Sequence, residues 1–600
     1  MENKQRNKMK KILFIVAAAS IVNFISCQKN FLDLNPQDSF TDVAYFNKPA
    51  DFKAFSLDFY SQLMGWRSPF GGNTIYNYMD VGSDLSASSL FSSAYARGAI
   101  TIPTDDNRWN NPYNWIRKTN ILLEKSQGYL GNQSDIAIYV SEAYFFRANA
   151  YFTLLRFFGG VPIVTNVLDV SSSELMGPRN SRYEVVDFIL ADLDKAIAGL
   201  PTEQSIAAAD KGRISKWAAK AMKAQVLLYE ATWRRYVGTT TDYEGSAGPA
   251  SDQIDAFLTE AIDQAKDVMD NGGYTLWNYN SSLANKSSYY LFNLEDEGSN
   301  PASLTKATNK EFILYGTYDF TYRKGGQNIT HTTAQLYPSR KLMDLYLCTD
   351  GLPPEKSPLF QGYHKTGDEF KNRDYRMTAH HAVNGAPAPG SITLAGVGSG
   401  YGNAKFGSYN YGIYRNATEE SADYPVIRLA DVYLVYAEAL YEKNGSITDA
   451  QLNESINKIR ARAGVAALSN LLAATYDLDI KQEIRDERAR ELWQEGSRFY
   501  DLTRWGIAEN ELGQSVCGYV VGDSSYPTDF RDTNGNATNK YDPSKYVWGE
   551  EVVSTPAGDI KCVIVDKNTN RNFKRNHYLW PIPSNQINLN KSIKQNPGYN

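Results

Sequence analysis

The stretch Glu142–Pro162, EAYFFRANAYFTLLRFFGGVP, decides the fold. It closes a helical pattern that starts near Asp135 and runs to Phe158, apolar on nearly every side. A helix of that kind belongs in the middle of a core, not on a surface. Gly159, Gly160 and Pro162 stop it. Ala148 in its middle leaves room for a second helix to approach closely.

Helices extend outward from this one. Ser181 and Glu184 have the S-x-x-E spacing of a capping box. Val186, Ile189, Leu193 and Ile197 then recur at helical spacing until Pro201. A third helix is predicted from about Arg213 to Arg234, with Ile214, Trp217, Ala221 and Leu228 on one side. A fourth runs from Ile254 to Met269 and ends at Gly272-Gly273. Far downstream, Arg428–Glu442 places Leu429, Val432, Tyr436 and Leu440 on one face, and Asp449–Ala463 and Lys481–Glu495 follow as another pair. Paired helices with small residues at Ala221, Ala224, Ala437 and Ala439 resemble tetratricopeptide packing, without a clean 34-residue period. The predicted class is mainly α, with few short strands.

Between the two helical blocks the text changes. From about 272 to 425 it is rich in Gly, Asn, Ser, Tyr and Pro and carries no sustained helical period; Phe312–Tyr318 reads as a strand. Long irregular stretches inside a compact chain are commonly functional. The tail 506–600 also reads as irregular, and His380-His381 reads as part of a surface loop.

The first 26 residues read as an address. Residues 1–11 are basic, Ile12–Ile25 are apolar, and Ser26 precedes Cys27. The apolar run is shorter than the ~20 residues of an ordinary membrane span. A Cys directly after a small residue favours lipoprotein processing, with Cys27 acylated; the rival is an anchor that stays attached. Phe24 and Ile25 stand where a lipobox usually has Leu and a small residue. Two or more acyl chains would hold the mature chain stably on a membrane.

Composition removes several classes. A net charge of -5 with 22% charged residues argues against nucleic acid, which rewards a basic surface. The four cysteines form no CxxC pair; with Cys27 set aside, Cys348, Cys517 and Cys562 allow one disulfide but no disulfide framework. A glycosidase needs two carboxylates roughly 5 Å or 6.5–9.5 Å apart, and neither Asp486-Glu487 nor Glu550-Glu551 lies in a recognisable catalytic segment. The five His form no HExxH, and no G-x-S-x-G has a strand–turn–helix context. Asp532, Asn534 and Asn536 follow the 1-3-5 spacing of a calcium loop, but Ala537 replaces the expected Gly and Pro543 the expected Glu. A polar turn is the better reading, and no cofactor is expected.

Six stretches together resemble the SusD/RagB family of outer-membrane nutrient-binding lipoproteins. They are Cys27 with Phe31-Leu32-Asp33 and Pro36; Glu142–Pro162; Gly212–Tyr229 (GRISKWAAKAMKAQVLLY); Arg428–Leu440 (RLADVYLVYAEAL) with Leu452–Gly464 (LNESINKIRARAG); Ile484–Trp505 (IRDERARELWQEGSRFYDLTRW); and Tyr578–Tyr599 (YLWPIPSNQINLNKSIKQNPGY). They stand in the family's order. The resemblance implies a scaffold of four tetratricopeptide-like helix pairs, here about 40–271 and 426–505, within one domain over 27–600. It implies glycan capture beside a SusC-like TonB-dependent outer-membrane transporter, on the cell exterior, with peptides or glycopeptides as the alternative ligand.

A sugar offers an apolar face of C–H groups and a rim of hydroxyls, so a binder needs flat aromatics with amides, carboxylates or Arg beside them. Loops on a rigid scaffold are the expected place. The 41 Tyr and 10 Trp supply candidates. One cluster is Trp66, Arg67, Tyr76, Tyr78, Asp80 and Asp84, with Arg108, Trp109 and Asn110 further on. The other is Trp277, Tyr279, Asn280, Tyr289, Tyr290 and Phe292. Trp109 has a rival role in structural packing.

Overall fold

The computed structural model describes residues 45–71, 78–87, 94, 96–238, 243, 246, 248–249, 251–326, 329–330, 336–363, 368–381, 399, 401–408, 419–520, 547–555 and 558–599. The signal segment, Cys27, Tyr76 and the Asp532–Asn536 run lie outside them, and so does the side chain of Tyr78.

Five long helices lead the scaffold: α1 Asn107–Gln127, α2 Ala137–Phe158, α3 Arg182–Gly199, α4 Lys216–Tyr236 and α5 Ile254–Asn271. Each packs against the next in chain order. Helix α2 is the central one: Ala143, Phe145, Phe146, Ala148, Tyr151, Leu154, Leu155 and Phe158 are all fully buried. At about 1.5–3 kcal/mol for each large apolar side chain removed from water, this face is a major source of stability. Gly159 ends α2 at φ 74°, a conformation that disfavours side chains. The capping box forms as predicted: Ser181 Oγ accepts from Glu184 N at 3.2 Å, and Ser181 N donates to Glu184 Oε2 at 2.7 Å.

Helix α1 is an addition to the sequence reading. Asn110-Asn111-Pro112 looks like turn text, yet Pro112 lies within the first two turns of α1. Asp106 caps the helix by accepting from Arg108 N at 2.8 Å.

The second block brings α6 Tyr375–His380, α7 Leu429–Asn444, α8 Ile456–Ala463, α9 Ile480–Leu492 and α10 Arg498–Arg504. Helix α7 packs against α4, α5 and α9, which joins the two blocks. The predicted helix over Asp449–Ala463 is split at Ser455, whose φ/ψ of -127°/-100° is not helical. Strand β1 Phe312–Gly316 pairs antiparallel with β2 Tyr424–Arg428, so the irregular insert is closed at its two ends. The tail is less irregular than expected. Strands β3 Val516–Val520, β4 Val547–Thr555 and β5 Gly558–Asp566 form an antiparallel sheet in the order β3-β5-β4. The last residues return to α2, where Trp580 N donates to Phe157 O at 2.6 Å.

A buried ion network ties these parts together. Glu491 of α9 faces Arg376 of α6 (2.7 Å), Arg428 at the end of β2 (2.5 Å) and Arg462 of α8. Arg462 and Arg428 also hold Glu311, at 2.6 and 2.9 Å, just before β1. Glu487, one turn back on α9, pairs with Arg376 (2.6 Å), Arg460 (3.3 Å) and Arg490 (3.1 Å). A second node centres on Glu438 of α7, which accepts from Arg504 and from Trp505 Nε1, both at distances under 2.8 Å. Burial alone would push these carboxyls up; the surrounding guanidinium groups more than offset it and hold Glu438 and Glu487 down to about 2.

His380 and His381 are buried beside this network, which corrects the surface-loop expectation. His381 meets the Trp493 ring edge-on at 4.8 Å and shares a hydrogen bond with the Tyr346 hydroxyl at 3.0 Å. Burial holds it neutral, with a pKa down to about 3. Cys348, Cys517 and Cys562 are buried free thiols, so no disulfide forms among them.

The linkage sign is clear for the two glutamates. Their folded pKa values lie below the unfolded value of roughly 4.3. Their contribution is therefore present above that pH and lost as pH falls toward 2. Neutral His381 acts in the same direction, since the unfolded chain binds its proton first as pH falls. We expect the urea midpoint to fall steeply between about pH 4.5 and 2.5, with each glutamate contributing on the order of 1–3 kcal/mol. Equal midpoints at pH 7 and pH 3 would contradict this.

Candidate functional site

The structure brings most of the expected aromatics together, but as a second core. Trp66, Trp277, Tyr289, Tyr290 and Phe292 form one buried cluster, with Tyr279 packed half-buried against it. Trp66 is 1% exposed; its indole donates to Ala422 O at 2.6 Å and its backbone N to the Tyr318 hydroxyl at 3.0 Å. Trp277 is 2% exposed and donates its backbone N to Glu311 Oε2 at 2.9 Å and its indole to Thr308 Oγ1 at 3.0 Å. The Tyr289 hydroxyl donates to Gly407 O at 2.6 Å. Trp66, Trp277, Tyr289 and Tyr290 thus keep no open ring face for stacking, which corrects the platform expectation.

The acids of the first cluster are also internal. Asp84 holds Arg498 in a bidentate pair at 2.9 and 2.8 Å. Asp80 is buried, accepts from Gly496 N at 2.9 Å, and is pushed up to about 7 by that burial.

Arg67 is the exposed member, and it leads to the face above the second core. Its guanidinium donates to Gly326 O at 2.9 Å. The loop 317–326 is held tightly. Asp319 and Arg323 exchange backbone bonds of 2.7 and 3.1 Å. The Asp319 carboxylate accepts from Thr321 N and Tyr322 N at 2.7 and 2.9 Å, which lowers its pKa. Arg323 lies 4.5 Å over the Tyr318 ring, and Lys324 lies 4.5 Å over Phe320 while pairing with Glu419 at 3.0 Å. Gly326 has φ +69°, and a Cβ there would stand 2.7 Å from Arg67. On this braced loop the Tyr322 ring is 91% exposed and Phe320 is 38% exposed.

The sequence reading missed Phe320 and Tyr322. The available signal was YDFTYRKGG (318–326), where alternating aromatics meet an Asp turn former, two cations and two glycines. A large exposed aromatic on a fixed loop that also carries Arg323 and Lys324 can stack on a flat apolar face, with polar groups of the same loop to bond its rim.

Trp109 and Asn110 lie elsewhere. Trp109 is buried in the first turn of α1, its ring 5.1 Å from Phe158 and 5.3 Å from Tyr113. Both residues line a groove of about 890 Å³ with Tyr113, Asn114, Asn166 and Gln586. Asn110 Oδ1 accepts from Gln586 Nε2 at 3.3 Å. Among the described residues no group of three His, Cys, Asp or Glu could hold a metal ion, and no helix is long and apolar enough to cross a membrane.

With the helical scaffold and its braced loop face in view, comparison with known proteins gives the class. The family model for the SusD family matches residues 303–599, and the model described as starch-binding associating with outer membrane matches residues 30–228. The chain belongs to the SusD/RagB family. It is similar to a SusD-like protein of Bacteroides ovatus, 26% identical over 511 residues and covering 83% of each chain. It is 32% identical to the starch-binding protein SusD of Bacteroides thetaiotaomicron over 132 residues, 20% of this chain and 21% of that one. Among solved structures, a SusD-like carbohydrate-binding protein of Bacteroides fragilis superposes with a TM-score of 0.66 at 23% identity, covering 91% of this chain and 99% of that one. A laminarin-binding SusD-like protein superposes with a TM-score of 0.54 at 20% identity, covering 92% of this chain and 100% of that one. These superpositions establish the mainly helical fold.

Burial of Trp66 gives a direct test of its role. We expect Trp66→Ala to lower stability by about 3–5 kcal/mol, the range for emptying a buried Trp site. Urea unfolding of the variant checks this; an unchanged midpoint would return Trp66 to the surface.

Proposed function

We propose that this protein captures an oligosaccharide on the face around Tyr322 and hands it to a SusC-like TonB-dependent transporter in the outer membrane, without transforming it. The observation that carries the reading is the exposed Tyr322 ring on a loop locked from several sides. Preorganisation matters because an already ordered loop loses little conformational freedom when the ligand arrives. Three of the four relatives named above are described by starch, laminarin or carbohydrate, and none of the four by a peptide.

In this reading Cys27 carries the acyl chains that hold the protein on the cell exterior, and the transporter is the partner that accepts the ligand. A binder seated on its transporter needs only modest affinity alone, because the second contact is made at high effective concentration.

Affinity gels containing a panel of neutral polysaccharides test the capture face. We expect one glycan to retard the chain from Gln28 onward, and Tyr322→Ala to weaken that retardation by about tenfold, in line with ~1–1.5 kcal/mol for a ring contact. Retardation identical in Tyr322→Ala would move the site off this loop. Anchoring is tested by Cys27→Ser in cells: release from the outer-membrane fraction, with loss of co-purification of the transporter from that fraction, is the expected result. Unchanged membrane retention would refute acylation at Cys27.

A further inference from the structure

An inner cavity of about 240 Å³ lies between the two helical blocks and shares no residue with the Phe320–Lys324 loop. One water occupies roughly 30 Å³ of liquid, so the space exceeds a single solvent molecule several-fold. Its lining is unusual in the number of polar side chains left without partners. Gln62 is 4% exposed, yet neither its amide nitrogen nor its amide oxygen has a hydrogen-bond partner. The Tyr229 hydroxyl, on a residue 5% exposed, is likewise unpartnered. Arg156 is half-buried; its Nε is buried without a partner, and its guanidinium lies 4.5 Å from the Phe152 ring and 4.3 Å from the Tyr500 ring.

The charges around the cavity leave one cation over. Arg428 is matched by Glu311, Glu491 and Glu495. Arg488 and Arg504 are matched by Asp431, Asp501 and Glu438. Arg108 pairs with Asp106 at 3.1 Å. Arg156 alone among these arginines has no carboxylate within ion-pair distance. Buried donors left unmade are costly to a fold. What these groups share is the capacity to donate: a guanidinium, an amide and a phenol, contributed by the turn Leu57–Gln62, by α2 and by α4. Convergent donors around an unmatched cation select an oxyanion, which offers several acceptors and one or two negative charges.

We propose that this cavity binds one small oxyanion of the sulfate or carboxylate kind, with Arg156 as its counter-ion and Gln62 and Tyr229 as hydrogen-bond donors. The anion is either free in solution or the charged group of an acidic sugar. Isothermal titration calorimetry on the soluble chain from Gln28 onward, at low ionic strength in a sulfate- and phosphate-free buffer, tests this with sodium sulfate, sodium glucuronate and glucose. Saturable one-site binding of sulfate is expected, with none of glucose. Arg156→Gln should weaken sulfate at least tenfold, Gln62→Leu should weaken it several-fold, and Arg156→Lys should retain part of the binding. The urea midpoint of each variant separates loss of the site from loss of the fold. Glucuronate competing with sulfate assigns the acidic-sugar source, whereas sulfate binding without competition assigns the free ion. Absence of saturable sulfate binding, or binding that folded Arg156→Gln leaves unchanged, overturns the proposal. The Tyr322 variant should bind sulfate normally, so this result stands or falls apart from the glycan face.

Discussion

The arrangement depends on a set of arginines and glutamates placed where water is excluded. Glu491 alone meets Arg376, Arg428 and Arg462, which come from three separate parts of the chain. Taking such groups out of water is expensive, and only near-complete pairing makes it tolerable. Removing one partner from such a set leaves a buried charge behind, typically at 3–5 kcal/mol. The network therefore contributes less as a source of net stability than as a condition on geometry. Helices α6, α8 and α9 and the ends of β1 and β2 have to arrive together, or the charges are stranded.

That condition explains how a loop-rich insert is held to a helical scaffold. Glu311, within the insert, and Arg428, where the chain rejoins the scaffold, both belong to the network. Lys405, from the middle of the insert, reaches Glu495 at 2.7 Å and the Trp493 carbonyl at 2.6 Å. The insert, held to the scaffold in this way, builds a second core from Trp277, Tyr289 and Phe292 together with Trp66 from before α1. The Tyr322 loop rests on that core through Tyr318, whose hydroxyl accepts from Trp66 N. An exposed ring can be rigid here because the rings beneath it are buried. Scaffold, network, second core and loop thus form one mechanical sequence from α9 to the surface.

The same logic accounts for the polar cavity between the blocks. Helices α2 and α4 approach α10 and the Leu57–Gln62 turn with aromatic and arginine side chains too large to interdigitate fully. The remaining space is lined by Gln62, Arg156 and Tyr229. Well-packed interiors rarely keep unsatisfied donors, and this lining has three, on Gln62, Arg156 and Tyr229.

Much of the fold was legible in the sequence because helices carry their evidence locally. The apolar spacing of α2, the Ser181–Glu184 box and the Gly-Gly-Pro stop depend on residues within a few positions of one another. The resemblance to the SusD/RagB family rested on the same scaffold segments. The site was less legible. Whether Trp66 or Tyr322 faces water depends on partners far away in the chain, Ala422 for one and a turn at Asp319 for the other, and composition treats the two rings alike. The tail strands and the burial of His380 and His381 were hidden for the same reason. Sequence alone determined most of the scaffold helices, α1 excepted, because their apolar spacing, caps and stops are local. Only the tertiary structure decided which aromatics are core and which are surface, because burial is set by contacts between residues hundreds of positions apart.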